Sequence, residues 1–172
     1  TIGTIEPRKN HAFLLDLWED WARDIENPPP TLVICGNRGW KSEAVFARLD
    51  AAKANGLPVI EMNGLGDAEM MGLLKNADAA LFPSLAEGFG LPQAEALGLG
   101  IPVICGDLAI YREVLGEFPV YAETSNPYVW RTEIEKLLQK DSVGLGRVGY
   151  DQALYTPPRW ETHFNLVLKH FG

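Results

Sequence analysis

The sequence predicts an α/β fold: a three-layer, doubly wound parallel sheet with helices at its carboxyl end. Three observations carry this. Short β-rich runs alternate with helix-period patterns, Gly or Pro bounds several of those runs, and beyond Ala122 the pattern turns helical. Strands alternating with helices require right-handed crossovers, which place helices on both faces of a parallel sheet.

Taken in order, TIGT, TLVICG, PVIEM, AALFP, IPVIC and PVYA read as the strands. After the first, Asn10 is placed to cap a helix in which Leu14, Leu17, Trp18, Trp21 and Ile25 recur at three- and four-residue spacing. Pro28 to Pro30 end it, because proline lacks the N–H and its ring clashes with the preceding turn. The next helix spans Lys41 to Asn55 and is closed by Gly56. A third covers Asp67 to Lys75, with Met70, Leu73 and Leu74 on one face. Pro92 opens a fourth, where its missing N–H costs nothing. Trp130, Ile134, Leu137 and Leu138 form one later stripe, and Trp160, Phe164, Val167, Leu168 and Phe171 another. GLGRVG, between them, is poorly helical. Trp18, Trp21 and Trp130 are assigned to the core, as tryptophans at helical spacing usually are.

The 172 residues, 47% hydrophobic and 22% charged, suit one domain over 1–172 with a sizeable core. Fifteen Lys and Arg against twenty-three Asp and Glu give a net charge of −8, which argues against a nucleic-acid binder but leaves room for a small local anion site. No apolar run is long enough to cross a bilayer and no signal peptide is visible. Cys35 and Cys105 lie in the apolar runs TLVICG and IPVICG and read as buried, reduced residues, in keeping with a cytoplasmic setting. TIGTIEPRKN reads as a strand already under way, so a longer protein is expected to precede it.

Two familiar nucleotide fingerprints are absent. GTIEPRKN lacks the G-x-G-x-x-G of a dinucleotide fold, and GNRGWKS (Gly36 to Ser42) has Trp40 where a P-loop needs glycine. No Asp-x-Asp and no His/Cys/carboxylate cluster has metal-ligand spacing, and His11, His163 and His170 are scattered. Geometry supplies another site. In a 3-2-1-4-5-6 strand order the first and fourth strands are neighbours at the topological switch point. Arg8 and Lys9, after the first strand, then face Glu87 to Leu91, after the fourth, across a crevice. Two cations opposite a glycine-rich helix N-terminus, with Gly88 and Gly90 allowing close backbone approach, describe a diphosphate cradle. Glu87 is then placed for sugar hydroxyls and Glu95, a turn beyond Pro92, for ribose hydroxyls. A solvated Glu87 and a dipole-complementing Glu95 fit the spacing equally well.

GTIEPRKN, LVICGNRGW, ALFPSLAEGFGLPQAEAL and IPVICGD, in that order, resemble the carboxyl-terminal domain of family 4 (group 1) glycosyltransferases, retaining enzymes of the GT-B fold. The likeness runs from Ile2 to about Leu138, and Glu87 to Glu95 matches the family's Glu-x7-Glu element. It implies a domain that binds a nucleotide-sugar donor, with no cofactor and no metal. Arg8 and Lys9 would hold the diphosphate, Glu87 the donor sugar and Glu95 the ribose. Arg8, Lys9 and Glu87 would thus be the catalytic set. Gly88, Phe89, Gly90 and Leu91 would contact sugar and phosphate, Gly3 would line the donor site, and Met62, Asn63, Gly64 and Leu65 would face the nucleobase. Thr4 departs from the arginine that many members carry directly after the first-strand glycine, which bears on how the β-phosphate is held.

The implied reaction moves a hexose, with retained anomeric configuration, to a hydroxyl of a glycan or lipid-linked acceptor. EPRKN resembles bacterial mannosyltransferases, so GDP-mannose is the first donor; UDP- and dTDP-linked sugars stay open. Lipopolysaccharide, capsule or another surface glycan is the implied acceptor class. The acceptor would be held by an amino-terminal domain absent from 1–172, so the isolated chain is expected to be inactive. The intact enzyme would be cytoplasmic, with the inner membrane face as a peripheral seat, and the helix around Trp160 to Phe171 would touch the absent domain. Arg112 and Glu113 read as a loop-fixing ion pair or cap. The alternatives are a non-catalytic nucleotide-binding module and half of a nucleotide-sugar epimerase.

Overall fold

The structure, a computed structural model, describes residues 1–142 and 155–156. Its strands are β1 (Leu32–Cys35), β2 (Val59–Met62), β3 (Ala80–Phe82), β4 (Val103–Cys105) and β5 (Val120–Tyr121). Its helices are α1 (His11–Trp21), α2 (Glu43–Ala54), α3 (Asp67–Lys75), α4 (Leu91–Gly98), α5 (Ala109–Leu115) and α6 (Pro127–Ser142). The expected stripe from Trp160 to Phe171 and the segment GLGRVG lie outside the described residues.

All strand pairing is parallel, in two ladders. β1 pairs with β2, Leu32 opposite Val59, while β4 lies between β3 and β5, with Ala80 opposite Val103 and Ile104 opposite Val120. Side chains alternate across a strand, so β3 and β4 each feed two cores. Leu81 and Ile104 join Leu14, Trp18, Trp21, Trp130 and Ile134 on the α1/α6 face. Ala80, Phe82, Val103 and Cys105 join Leu74, Leu97, Tyr111 and Leu115 on the α3/α4/α5 face. This is the three-layer α/β arrangement that the sequence predicts. Trp18, Trp21 and Trp130 are buried core residues, as assigned. Both cysteines are buried and free, and burial pushes the Cys105 thiol up to about 12.

Four local expectations are corrected. TIGT forms no ladder strand; it touches β1 through two isolated parallel bridges, Ile2 with Cys35 and Ile5 with Arg38. Gly3, at φ +138°, leaves the extended conformation between them, and the two chains press so close that a Cβ on Gly36 would sit 1.9 Å from the Gly3 carbonyl oxygen. The first segment and β3 are not joined by a ladder among the described residues. A cleft of about 210 Å³ lined by Thr1, Ile2, Leu74 and Leu81 lies there instead.

α1 stops at Trp21, seven residues before Pro28, leaving Ile25 90% exposed. The chain turns early because the Trp21 indole donates to the Asn27 carbonyl and the Asn27 N–H donates to Asp24. Asn10 does not cap α1 through its side chain. It adopts a left-handed conformation (φ 54°) and its amide donates to the Pro83 carbonyl. α5, finally, was not anticipated; Arg112 within it chelates Asp107 at 2.9 Å and stacks on the Tyr121 ring at 3.7 Å, the loop-fixing role read from sequence, whereas Glu113 is exposed.

Candidate functional site

The site lies where the loops after the first segment and after β3 meet at the carboxyl edge of the strands. Residues Pro7–Lys9 form one 3-10 turn, begun by a proline whose fixed φ suits a first helical position. The turn projects Arg8 and Lys9 together. The Lys9 stem crosses Gly3, where a Cβ would approach Lys9 Cε to 3.3 Å, so the bare glycine leaves the lysine its path. Hydrogen bonds fasten this turn to the loop after β3: Leu85 N–H donates to the Arg8 carbonyl at 2.7 Å, the Asn10 amide to the Pro83 carbonyl at 3.2 Å and Arg8 Nη1 to the Ala86 carbonyl at 3.4 Å.

Across the crevice, Gly90 holds φ +84° and starts α4 with no side-chain cap. A Cβ there would lie 2.9 Å from the Tyr111 ring. α4 begins at Leu91 with Pro92 second, one residue earlier than expected. Its uncapped N-terminus leaves backbone N–H groups and the positive end of the helix dipole at the crevice.

Glu87 bridges the two sides. Its Oε2 accepts from Arg8 Nη1 at 2.6 Å, and its Oε1 accepts from Lys9 Nζ at 2.5 Å, Ser84 Oγ at 2.8 Å and the Tyr111 hydroxyl at 3.3 Å. The Glu87 side chain is 5% exposed and Lys9 10%, whereas Arg8 is 45% exposed. Burial opposes ionisation of Glu87, yet the hydrogen bonds from Lys9, Ser84 and Arg8 and the Lys9 charge outweigh it and hold the carboxyl below its ordinary value. Arg8 also pairs with Glu6 at 2.7 Å, and Glu6 accepts from the Trp40 indole at 3.0 Å, which ties the GNRGWKS loop to the rim.

Gly3, Arg8, Lys9, Glu87 and the Gly88–Leu91 turn are therefore brought together, with Phe89 45% and Leu91 59% exposed. Glu95 stands on α4, exposed and unpaired among the described residues. Met62 ends β2 and Asn63, Gly64 and Leu65 follow it, about 10 Å from the first segment at two strand spacings. There Met62 and Leu65 line a shallow hollow of about 370 Å³ with Gly72 and Leu73 of α3. Sequence reasoning missed Ser84, Gln93 and Tyr111. Ser84 precedes Glu87 by three residues, a turn spacing that could have been noticed, but Tyr111 and Gln93 are masked by the apolar pattern around them. Among the described residues no three His, Cys, Asp or Glu side chains gather to hold a metal, and no helix is long and apolar enough to cross a membrane.

The family model described as "Glycosyl transferases group 1" matches residues 1–145. The O-antigen chain mannosyltransferase B of Escherichia coli is 30% identical over 141 residues, 82% of this chain but 36% of that protein. The O-antigen chain mannosyltransferase RfbU of Salmonella typhimurium is 26% identical over 80% of this chain and 37% of its own length. The chain thus spans about a third of these relatives. Among solved structures, TarM aligns over all of the chain and 34% of its own, at TM-score 0.73 and 16% identity. The carboxyl-terminal domain of LpcC, a group 1 family protein from Francisella tularensis, aligns over 99% of this chain and 84% of its own, at TM-score 0.68 and 19% identity. At these identities the solved structures speak for the fold.

Proposed function

The chain belongs to the group 1 glycosyl transferases and has the α/β half-architecture of their GT-B fold, and from that premise we propose that the crevice between Pro7–Lys9 and α4 binds the nucleotide-sugar donor of a hexosyl transfer. The supporting observation is the juxtaposition of Arg8 and Lys9 with the Gly88–Leu91 turn and the uncapped N-terminus of α4, with Glu87 between them. A diphosphate fits two cations opposite free N–H groups. Glu95, exposed and unpaired on the same helix, is free for ribose hydroxyls, and the Met62–Leu65 side of the edge is left for the base.

In this reading, the bond from the anomeric carbon to the diphosphate oxygen stretches, and charge grows on that oxygen. Arg8, Lys9 and the positive end of α4 stabilise it in place, without a resident metal or other cofactor. The acceptor hydroxyl attacks on the face the diphosphate leaves and gives its proton to the departing diphosphate oxygen, so the anomeric configuration is retained. Similarity to O-antigen mannosyltransferases favours GDP-mannose as donor and a surface glycan or its lipid-linked precursor as acceptor. The acceptor is held by parts of the relatives' length that this chain does not match, so residues 1–172 alone bind donor and transfer nothing. The intact transferase would work in the cytoplasm, where nucleotide sugars are available, at the inner membrane face.

Calorimetric titration of GDP, UDP, dTDP and ADP, each with and without its sugar, tests the reading. One nucleotide family is expected to bind, and Arg8→Ala to weaken it about ten- to a hundredfold, the loss of one charge-assisted hydrogen bond. Unaltered binding by a folded Arg8→Ala protein would sink the assignment.

A further inference from the structure

Glu87 cannot keep its cations once a diphosphate takes Arg8 and Lys9. Two other donors remain on the same oxygen: Ser84 Oγ at 2.8 Å and the Tyr111 hydroxyl at 3.3 Å, both on Oε1. Neither is a cation a phosphate would claim, and both are buried, Ser84 at 3% and Tyr111 at 0% exposure. Oε2, by contrast, is held by Arg8 alone among the described residues.

Tyr111 is itself braced. Gln93, 0% exposed in the first turn of α4, donates Nε2 to the Tyr111 oxygen at 2.5 Å, while Gln93 Oε1 has no partner among the described residues. Tyr111 belongs to the apolar cluster that holds Leu97, Val103, Cys105 and Leu115. A hydroxyl and an amide buried in such a cluster, one acceptor unsatisfied, are costly, and packing alone would be served by Phe and Leu. Through the Tyr111 hydroxyl the pair reaches Oε1 of Glu87.

We propose that Tyr111, braced by Gln93 and assisted by Ser84, is a positioning residue that keeps the Glu87 carboxylate aimed into the crevice after the diphosphate has drawn Arg8 and Lys9 away. Oε1 stays anchored, and Oε2, released by Arg8, is presented to a hydroxyl of the donor sugar. The same three side chains thus determine whether the site distinguishes a nucleotide sugar from the bare nucleoside diphosphate. The inference rests on the donor-site reading above.

The test is the ratio of affinities for GDP-mannose and GDP, and for UDP-glucose and UDP, measured by calorimetry on the 172-residue chain, Tyr111→Phe, Ser84→Ala and the double variant. Tyr111→Phe retains the ring that packs on Gly90 and removes only the hydroxyl. The preference for the sugar-bearing ligand is expected to fall at least about fivefold in Tyr111→Phe and further in the double variant. A purely structural role would weaken both ligands by one factor and leave the ratio unchanged, and that result overturns the proposal. Should Tyr111→Phe not fold, Ser84→Ala carries the same readout with the same two outcomes. If the unaltered chain binds neither ligand class, the donor-site reading falls and takes this inference with it. If it binds them and the ratio survives both substitutions, only the Tyr111 role falls.

Discussion

Lys9 and Glu87 stand 78 residues apart in the chain and 2.5 Å apart in space. The pair spans the crevice, and with both side chains nearly buried, removing one partner leaves the other's charge poorly compensated. Lys9→Met retains most of the stem, so its expected cost of about 1–3 kcal/mol, read from urea unfolding at pH 7, reports the lost charge. The Glu87 carboxyl titrates below its ordinary 4.5 when folded, so this stabilisation is complete above about pH 4.5 and fades as pH falls through the folded value. The gap between wild type and Lys9→Met should therefore narrow in acid. A gap that stays constant to pH 3 would count against the pairing.

His11 adds a second loss of stability in acid, as a base that burial keeps neutral. It is 3% exposed, its Nδ1 has no partner among the described residues, and burial lowers its pKa from 6.5 to about 4. The unfolded chain takes up the proton first, so stability falls as pH drops from 6.5 towards 4, by roughly 3 kcal/mol in all at about 1.4 kcal/mol for each pH unit. His11→Gln should flatten that part of the stability profile measured by urea unfolding between pH 7 and 5. A profile of unchanged slope would mean that His11 is accessible to protons.

Gly90→Ala is expected to destabilise by about 1–3 kcal/mol from its left-handed backbone alone, a fall in Tm of about 2–4 °C for each kcal/mol in a chain of this size. The added methyl also meets the Tyr111 ring at 2.9 Å, so the loss should exceed that of Gly56→Ala, where φ is +71° and nothing lies within 4 Å. Calorimetric melting of the two variants checks the order.

Glu95→Ala should leave unfolding within about 0.5 kcal/mol of wild type, as befits an exposed, unpaired side chain. Nucleotide affinity should drop about tenfold or more, the value of one hydrogen bond to a charged group. Titration paired with unfolding separates the two, and an affinity that does not move removes Glu95 from the site.

Much of this was legible in the sequence because its signals are local. Asp67 to Lys75 is helical from end to end, since its periodicity and its flanking Gly66 and Asn76 agree. The loop positions of Arg8, Lys9 and Glu87 follow from strand alternation and a strand order, both properties of the backbone. The failures have distant causes. TIGT has strand chemistry, but Gly3 turns away because Gly36 presses against it from a segment over thirty residues on. Ile25 keeps the helical period, yet the Trp21 indole finds a carbonyl beyond the turn and the helix ends first. The two ion pairs that Glu87 makes with Arg8 and Lys9 are likewise unannounced by the sequence. A buried carboxylate takes the nearest positive charge, and spacing along a chain does not say which charge that will be.

The cleft between the first segment and β3 divides the strands into two panels. Helices α1 and α6 back both panels, but at the carboxyl edge the join includes Leu85 to Arg8, Arg8 to Ala86, Asn10 to Pro83 and the Glu87 ion pairs. A diphosphate gripped by Arg8 on one panel and by α4 on the other would clasp that hinge shut. Pulled apart by force, the free molecule should part along this line first. The loaded one should resist there most, its substrate serving as the missing stitch in its own sheet.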